Sequence, residues 1–403
     1  MKLAIVTAYP PSKVTLNEYA YHLVKHFRQH QSVTEIVLLT DVNPGETDLS
    51  FTEDGCKITV RQCWTFNSYK TLFSVTKAIR AEKPDAILYN LQFMKFGDKK
   101  VAAALGLMLP TITKLMRIPS IVLLHNIIET VDLESAGFAN NPVMKTLYMG
   151  IGKFLTRLIL MADVVAVTIH KYVDILQETY GVDHVKLIPH GTFSIPSKPQ
   201  YDLPSGPMQI MAFGKFGTYK KVENMIEAVT LVREETGLDL EIVIAGTDNP
   251  NVKGYLDGVA EQYKQISNLR FTGYVPEEDV ETLFTESAVV VFPYTSTTGS
   301  SGVLHQAGSY GKSVVIPDLG DLKMLVEDEG YTGEYFEPND IKSLARAIKA
   351  IVTNPRHRVE IGKRNYKAAT AYPMLTITGM YLETFDQIKS NKKSSKSSQY
   401  VMA

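Results

Sequence analysis

The sequence predicts an α/β protein made of two similar parallel-sheet halves. Three observations carry this: a length of 403 residues, short aliphatic runs that alternate with helical patterns, and a proline-rich break near residue 200 after which the alternation restarts. A single core rarely grows beyond about 250–300 residues, so a chain this long is expected to divide. Short β-branched strands separated by helices pair in parallel through crossover connections.

Lys2–Thr7 reads as a buried strand, followed by a loop with Pro10 and Pro11 and a helix over Leu16–Gln29. Further strands are expected at Thr34–Leu39, Lys57–Arg61, Ala86–Tyr89, Ser120–His125, Val164–Thr168 and Lys186–Ile188. Helical patterns at Ser74–Glu82 and Met144–Met161 lie between them. Pro196, Pro199, Pro204 and Pro207 then interrupt the rhythm. Proline removes backbone donors and fixes φ, so 196–207 reads as a linker after a first domain of 1–195.

In the second domain, 208–372, strands are expected at Met208–Phe213, Glu241–Ala245, Leu269–Thr272, Ala288–Phe292 and Ser313–Pro317. Helices are expected at Val222–Glu235, Val252–Lys264, Val280–Glu286, Val303–Tyr310, Lys323–Glu327 and Ile341–Asn354. A last helix within 373–388 is expected to return to the first domain. The tail 389–403 holds four lysines and five serines and too few apolar groups to order itself, so it reads as disordered.

Composition narrows the class. Hydrophobic residues at 45% and charged residues at 21% are those of a soluble globular protein. A net charge of −1 gives no electrostatic reason to expect nucleic acid. Cys56 and Cys63 stand alone, without the second pair or histidine cluster of a zinc site, and a reducing cytoplasm suits them. The N-terminal apolar run is short, ends at Pro10-Pro11 and has no small-residue cleavage site, so no signal peptide is read. No run of ~18 apolar residues suggests a membrane span. Met144–Met161 is apolar on one face and carries Lys145, Lys153 and Arg157. It reads as a core helix with snorkelling bases or as a peripheral membrane contact, and Leu105–Met116 invites the same two readings.

The chemistry concentrates in the second half. Phe213-Gly214-Lys215-Phe216-Gly217-Thr218-Tyr219-Lys220-Lys221 follows a strand and precedes a helix. Glycines let backbone approach a ligand, and lysines five apart in a loop can converge on one anion such as a diphosphate. A solvated basic loop would carry the same residues. Thr298-Gly299-Ser300-Ser301-Gly302-Val303 leads into a helix whose free N–H groups and dipole suit phosphate oxygens, and Gln306 lies one turn further on. An ordinary capped Ser-rich loop is the plainer reading.

These residues resemble the retaining glycosyltransferases of family 4, which have the GT-B fold. The resemblance covers nearly the whole chain up to the tail. It implies two Rossmann-like parallel-sheet domains facing a deep cleft. Gly214, Lys215 and Lys220 fall on the family's Gly-Arg-x4-Lys, which binds the donor diphosphate; Lys for Arg keeps the charge but loses the bidentate fork. The family's Glu-x7-Glu falls on Thr298 and Gln306, so both carboxylates are replaced. The resemblance assigns the donor sugar to Thr298, Gly299, Ser300 and His125. It assigns the diphosphate also to Ser300, Ser301, Gly302 and Val303.

Ribose and base fall to Gln306, Gly246, Tyr274 and Val275, at Ala245-Gly246 and Thr272-Gly273-Tyr274-Val275. Leu123-Leu124-His125-Asn126 is similar to the family's His-Asp, whose His faces the transferred sugar. Ile188-Pro189-His190-Gly191 is similar to its Ile-Pro-Asn-Gly. The first loop departs from the family: β-branched Val14 and Thr15 stand where two glycines are usual, leaving Asn17 and Glu18 as weaker candidates at the acceptor side.

The resemblance implies transfer of a hexose with retention, from a UDP-sugar by preference and a GDP-sugar next, to a saccharide or lipid-linked acceptor. Lys215, Lys220 and His125 would act at the reacting centre, with no metal and no other cofactor. A sugar-nucleotide epimerase of the same fold and a non-catalytic nucleotide-sugar-binding subunit are the rivals. A Rossmann oxidoreductase is excluded by the lack of Gly-x-Gly-x-x-Gly after either first strand.

Overall fold

Both halves are built on mostly parallel strands, and the central ones, covered on both faces, are apolar throughout rather than alternating. Leu3, Ala4, Ile5 and Val6 are all fully buried, as are Ile242, Val243, Ile244 and Ala245. The computed structural model describes residues 1–12, 14–130, 142–249, 252–296 and 301–401, the side chains of 142–145, 147–148 and 393–401 apart. They form two compact units, Met1–Pro189 with Met374–Ala403 and His190–Pro373.

The first unit holds β1 (Lys2–Val6), β2 (Glu35–Asp41), β3 (Leu49–Glu53), β4 (Cys56–Trp64), β5 (Ala86–Leu91), β6 (Ser120–Leu124), β7 (Val164–Val167) and β8 (Val185–Leu187). Their order is β3-β4-β2-β1-β5-β6-β7-β8, parallel except for the β3–β4 hairpin. That hairpin was not expected. Asp54 and Gly55 form its two-residue turn, both at positive φ (51° and 76°), the Asp-Gly signature of a tight hairpin.

The second unit holds β9 (Met208–Phe216), β10 (Leu240–Asp248), β11 (Leu269–Gly273), β12 (Ser287–Val291), β13 (Ser313–Pro317) and β14 (Glu334–Phe336). Their order is β11-β10-β9-β12-β13-β14, all parallel. β9 runs three residues past the expected end at Phe213, because its ladder with β10 continues through Gly246↔Gly214, Thr247↔Lys215 and Asp248↔Phe216. Gly214 and Lys215 therefore sit on a strand end, and only Lys220 lies in the loop.

The segment read as a linker packs within the second unit. Tyr366 donates to Pro196 O (2.7 Å), Arg358 to Tyr201 O (3.0 Å) and Lys312 to Gln200 O (3.3 Å). Two of these donors lie on a helix, Pro355–Ala371, that the sequence reading passed over. Its start is marked: Asn354 Oδ1 accepts from His357 N, and proline takes the first helical position.

The last helix, Met374–Val401, belongs to the first unit. His30 Nε2 is 2.9 Å from Thr378 Oγ1, and the Phe27 and Tyr381 rings are 6.2 Å apart. Beyond Ile388, where a disordered tail was expected, the backbone stays helical. Lys392 Nζ pairs with Asp163 Oδ2 at 2.8 Å, an anchor that composition alone does not reveal.

Candidate functional site

In the second unit, β9 and β10 place two glycines side by side, Gly214 and Gly246, two residues before their ends. Gly214 has φ 132° and Gly246 φ 139°, conformations that side-chain-bearing residues rarely adopt. A Cβ on Gly246 would stand 1.9 Å from Gly214 O, and one on Gly214 would stand 2.9 Å from Lys220 Nζ. Gly246 N donates to Thr272 Oγ1 (3.2 Å), which ties the third strand end to the same place. The two glycines thus allow the strands and Lys220 to pack closely near the carboxyl ends, the side of an open α/β sheet where ligands bind.

The turn 217–220 then folds over the strand end. Gly217 N donates to Lys220 O, Lys221 N to Pro293 O and Thr295 N to Tyr219 O, stitching this loop to the one after β12. Lys220 is held with its Nζ 2.9 Å from where a Gly214 Cβ would be. Its ammonium lies 4.7 Å from the Tyr294 ring centroid and 5.8 Å from that of Tyr219. Among the described residues it forms no ion pair, and burial pulls its pKa below the usual lysine value. A desolvated cation held by two aromatic faces is suited to meet an anion. Lys215 is exposed on the strand end.

The helix Gly302–Ser309 begins at Ser301, whose backbone is extended and whose side chain caps no N–H. The N–H groups of Gly302 and Val303 open this helix. Thr298, Gly299 and Ser300 lie outside the described residues. Gln306, half-buried, lines a small cavity with His190, Gly191, Gly302, His305 and Glu277. Val275 is half-buried and Tyr274 is 78% exposed, presenting its ring at the end of β11.

Behind the helix start is a cluster that the sequence reading missed. The rings of His190 and His305 stack, with centroids 4.9 Å apart and planes 4° from parallel. His305 Nδ1 is 2.9 Å from Tyr331 Oη and 3.4 Å from Glu329 Oε2. Burial lowers the His190 pKa to about 4 and holds His305 well below its usual value, the neighbouring His190 adding to the effect. Burial, with Asp328 nearby, pushes Glu329 up to about 8. Burial thus favours the uncharged forms of both the imidazoles and the carboxyl in this cluster. His190 stands at the position matched to the family's Asn in Ile188-Pro189-His190-Gly191, which was the only sequence-level sign of it; its Cε1 lies 3.7 Å from where a Gly302 Cβ would be.

In the first unit, His125 follows β6. Its Nε2 is 2.7 Å from Asn90 Oδ1, and its ring meets Tyr19 edge-on at 4.7 Å. Asn90 Nδ2 donates to Thr7 Oγ1 (3.0 Å) and Leu16 O (3.4 Å), which leaves Oδ1 as the acceptor. Nε2 of His125 therefore carries the proton. The first loop is fixed by polar groups rather than glycines. Ser12 donates to Asp41 (2.6 Å), Asn17 Nδ2 to Ser12 O (2.6 Å), and Lys95 Nζ to Thr15 O (2.6 Å). Lys95 is fully buried and its pKa falls to about 7 through desolvation, Asp41 partly opposing. Its sequence context, Phe93-Met94-Lys95-Phe96, reads as plain core.

Among the described residues, no group of three or more His, Cys, Asp or Glu side chains is arranged to hold a metal ion. No helix among them is long and apolar enough to cross a membrane.

Residues 195–368 match the family described as "Glycosyl transferases group 1". An O-antigen chain mannosyltransferase B of Escherichia coli is 26% identical over 133 residues, a stretch covering 32% of this chain and 32% of that protein. The folds agree over the whole length. Sucrose-phosphate synthase of Thermosynechococcus elongatus superposes with a TM-score of 0.71 at 16% identity, covering 97% of this chain and 100% of that one. HepE of Anabaena, in complex with UDP-glucose, gives 0.65 at 14% identity, covering 96% and 100%. A glycosyltransferase of Rickettsia africae gives 0.66 at 14%, covering 97% and 99%. The fold is GT-B.

Proposed function

We propose, with a group 1 glycosyltransferase domain at residues 195–368 as the premise, that this chain moves a hexose from a nucleotide-diphospho-sugar to a saccharide or lipid-linked acceptor with retention of configuration. The observation that carries the reading is Lys220: a desolvated ammonium without an ion pair among the described residues, set against Gly214 near a strand end. UDP is the preferred nucleotide because HepE, similar in fold, is described with UDP and UDP-glucose. A GDP-sugar is the second candidate.

In this reading Lys220 and Lys215 take the diphosphate from one side, and the N–H groups of Gly302 and Val303 take it from the other. They stabilise the charge that grows as the phosphate leaves. Gln306 and Gly246 meet the ribose, and Tyr274 and Val275 the base. Thr298, Gly299 and Ser300 contribute to donor-sugar and diphosphate binding. His125 presents its ring to the transferred sugar, its proton fixed on Nε2 by Asn90. The departing phosphate accepts the acceptor's proton on the same face, and no metal takes part.

A thermal-shift panel of UDP-, GDP- and ADP-sugars tests the reading. A donor at about 100 times its dissociation constant stabilises the fold by about 2.7 kcal/mol. UDP-glucose is expected to raise the midpoint, and the double variant Lys215→Ala, Lys220→Ala to abolish the rise. No shift with any nucleotide sugar would remove the donor site. Release of UDP only in the presence of an acceptor separates transfer from epimerisation and from binding alone.

A further inference from the structure

Four neighbouring strands of the first sheet, in the order β2-β1-β5-β6, are parallel and end on one edge. That edge carries Asp41 at the end of β2, the loop after β1, the turn after β5 and His125 after β6. It is the edge of an open α/β sheet where ligands bind.

β5 stands between β1 and β6, and the side chains at its end grip both neighbours. Lys95 Nζ donates to Thr15 O at 2.6 Å, and Gln92 Nε2 donates to Thr15 Oγ1. Asn90 Nδ2 donates to Leu16 O (3.4 Å), while Asn90 Oδ1 accepts from His125 Nε2 (2.7 Å). On the β2 side, Asp41 Oδ2 accepts from Ser12 Oγ (2.6 Å). The loop is thus held at both ends, and one asparagine serves both the loop and His125. Leu16 also leads into the helix Asn17–Phe27, whose Tyr19 ring meets His125 edge-on at 4.7 Å.

The loop does not hold this shape by itself. Leu16 has φ 70°, a left-handed conformation unfavourable for a leucine, and it persists only where surrounding contacts impose it. The bond from the Lys95 ammonium to Thr15 O is the charge-assisted one among these contacts. It is also costly. Lys95 is fully buried and forms no ion pair among the described residues; its ammonium lies 5.9 Å from the Trp64 ring centroid, and Asp41 favours its charge from further off. A residue that only filled this core would be apolar, because an unpaired buried cation destabilises a fold. What the cation supplies in return is the placement of Thr15 and Leu16.

We propose that Lys95 is a positioning residue for transfer: by pinning Thr15 O it holds Leu16 in place, and through Leu16 and Asn90 it sets the ring of His125. That His125 faces the transferred sugar rests on the function proposed above; the linkage of loop to histidine does not. Lys95→Met keeps the length of the side chain and removes donor and charge. Its melting midpoint is expected to equal or exceed that of the parent chain, with the UDP-glucose shift unchanged. The amide of Val14, which donates to Ser12 Oγ (3.1 Å), should nevertheless exchange about tenfold faster. The nitrogen-15 signals of the His125 ring should change from one tautomer to a mixture of two. UDP release from UDP-glucose with a saccharide acceptor should fall about tenfold. A lower midpoint overturns the proposal, since Lys95 would then be structural support. So does a stable variant with the parent's Val14 exchange and His125 signals, or with the parent's rate of UDP release. No UDP-glucose shift and no release in the parent chain would remove the donor reading instead, and the exchange and ring signals then decide the linkage alone.

Discussion

Lys220 occupies the space that a side chain on Gly214 would need: its Nζ lies 2.9 Å from the site of that missing Cβ. Gly214→Ala therefore both strains a backbone at φ 132° and pushes the ammonium aside. The expected cost is about 1–3 kcal/mol of stability together with loss of the UDP-dependent thermal shift. Lys220→Met keeps the backbone and most of the side-chain volume. It should leave the melting midpoint of the free protein unchanged or higher, because a desolvated cation is removed. It should weaken UDP binding by roughly 10- to 100-fold, the worth of a hydrogen bond to a charged group. Calorimetric titration with UDP checks both; undiminished UDP binding by Lys220→Met would remove this lysine from the diphosphate site.

Gly246→Ala meets a harder obstacle. The new carbon would stand 1.9 Å from a backbone oxygen, Gly214 O, which cannot rotate away. The β9–β10 ladder must open at its carboxyl end. A loss of at least about 2 kcal/mol is expected, and each kcal/mol lowers the midpoint by about 2–4 °C in a unit of this size. A melting curve like that of the parent chain would refute the close approach of the two strands.

Glu329 makes stability depend on pH. Its carboxyl is held up at about 8, against 4.5 for the ordinary group. Between these values the folded chain keeps a proton that the unfolded chain has released. The contribution is complete below about pH 4.5 and is lost as the pH rises through about 8. Glu329→Gln keeps the shape and removes the titration, so the fall in stability between about pH 5 and pH 8 should flatten. Denaturant melts across that range measure it, and an equal slope in the two proteins would show that Glu329 titrates normally.

Asn90 is expected to act through His125. Asn90→Ala removes the acceptor that fixes the proton on Nε2 and two bonds that hold Asn90 itself. Transfer should slow by about 10- to 100-fold, with the UDP thermal shift retained, because the proposed donor phosphate site lies in the other unit. Asn90→Asp, which still accepts from Nε2, should recover part of the rate. A variant that loses UDP binding in proportion to its rate would point to general loosening instead.

Much of this was legible in the sequence because it rests on local pattern. The apolar strands, the helix return at Met374 and the glycine-flanked lysines each announce themselves within a few residues. What escaped depends on pairing across the sheet or on contacts far apart in the chain. The end of β9 is set by β10, not by its own residues, so the sequence alone stopped it at Phe213. Lys95 looks like a core interruption until its bond to Thr15 O is seen. The His190–His305 stack joins the first residue of the second unit to the middle of the helix Gly302–Ser309, and no spacing rule predicts it. The Asp54-Gly55 turn and the Asn354-Pro355 cap were legible and simply carry weaker signals than the runs around them.

The helix Met374–Val401 gives the first unit a seam in time as well as in space. Residues 1–189 leave the ribosome long before the helix that covers Phe27 and reaches His30. Until that helix arrives, Phe27 lacks the Tyr381 ring and His30 lacks Thr378, and the intervening unit can finish its own sheet first. The order of completion is thus the reverse of the order of synthesis: the unit begun first closes last. Chains stopped anywhere between the two segments would present an open apolar surface to chaperones and proteases.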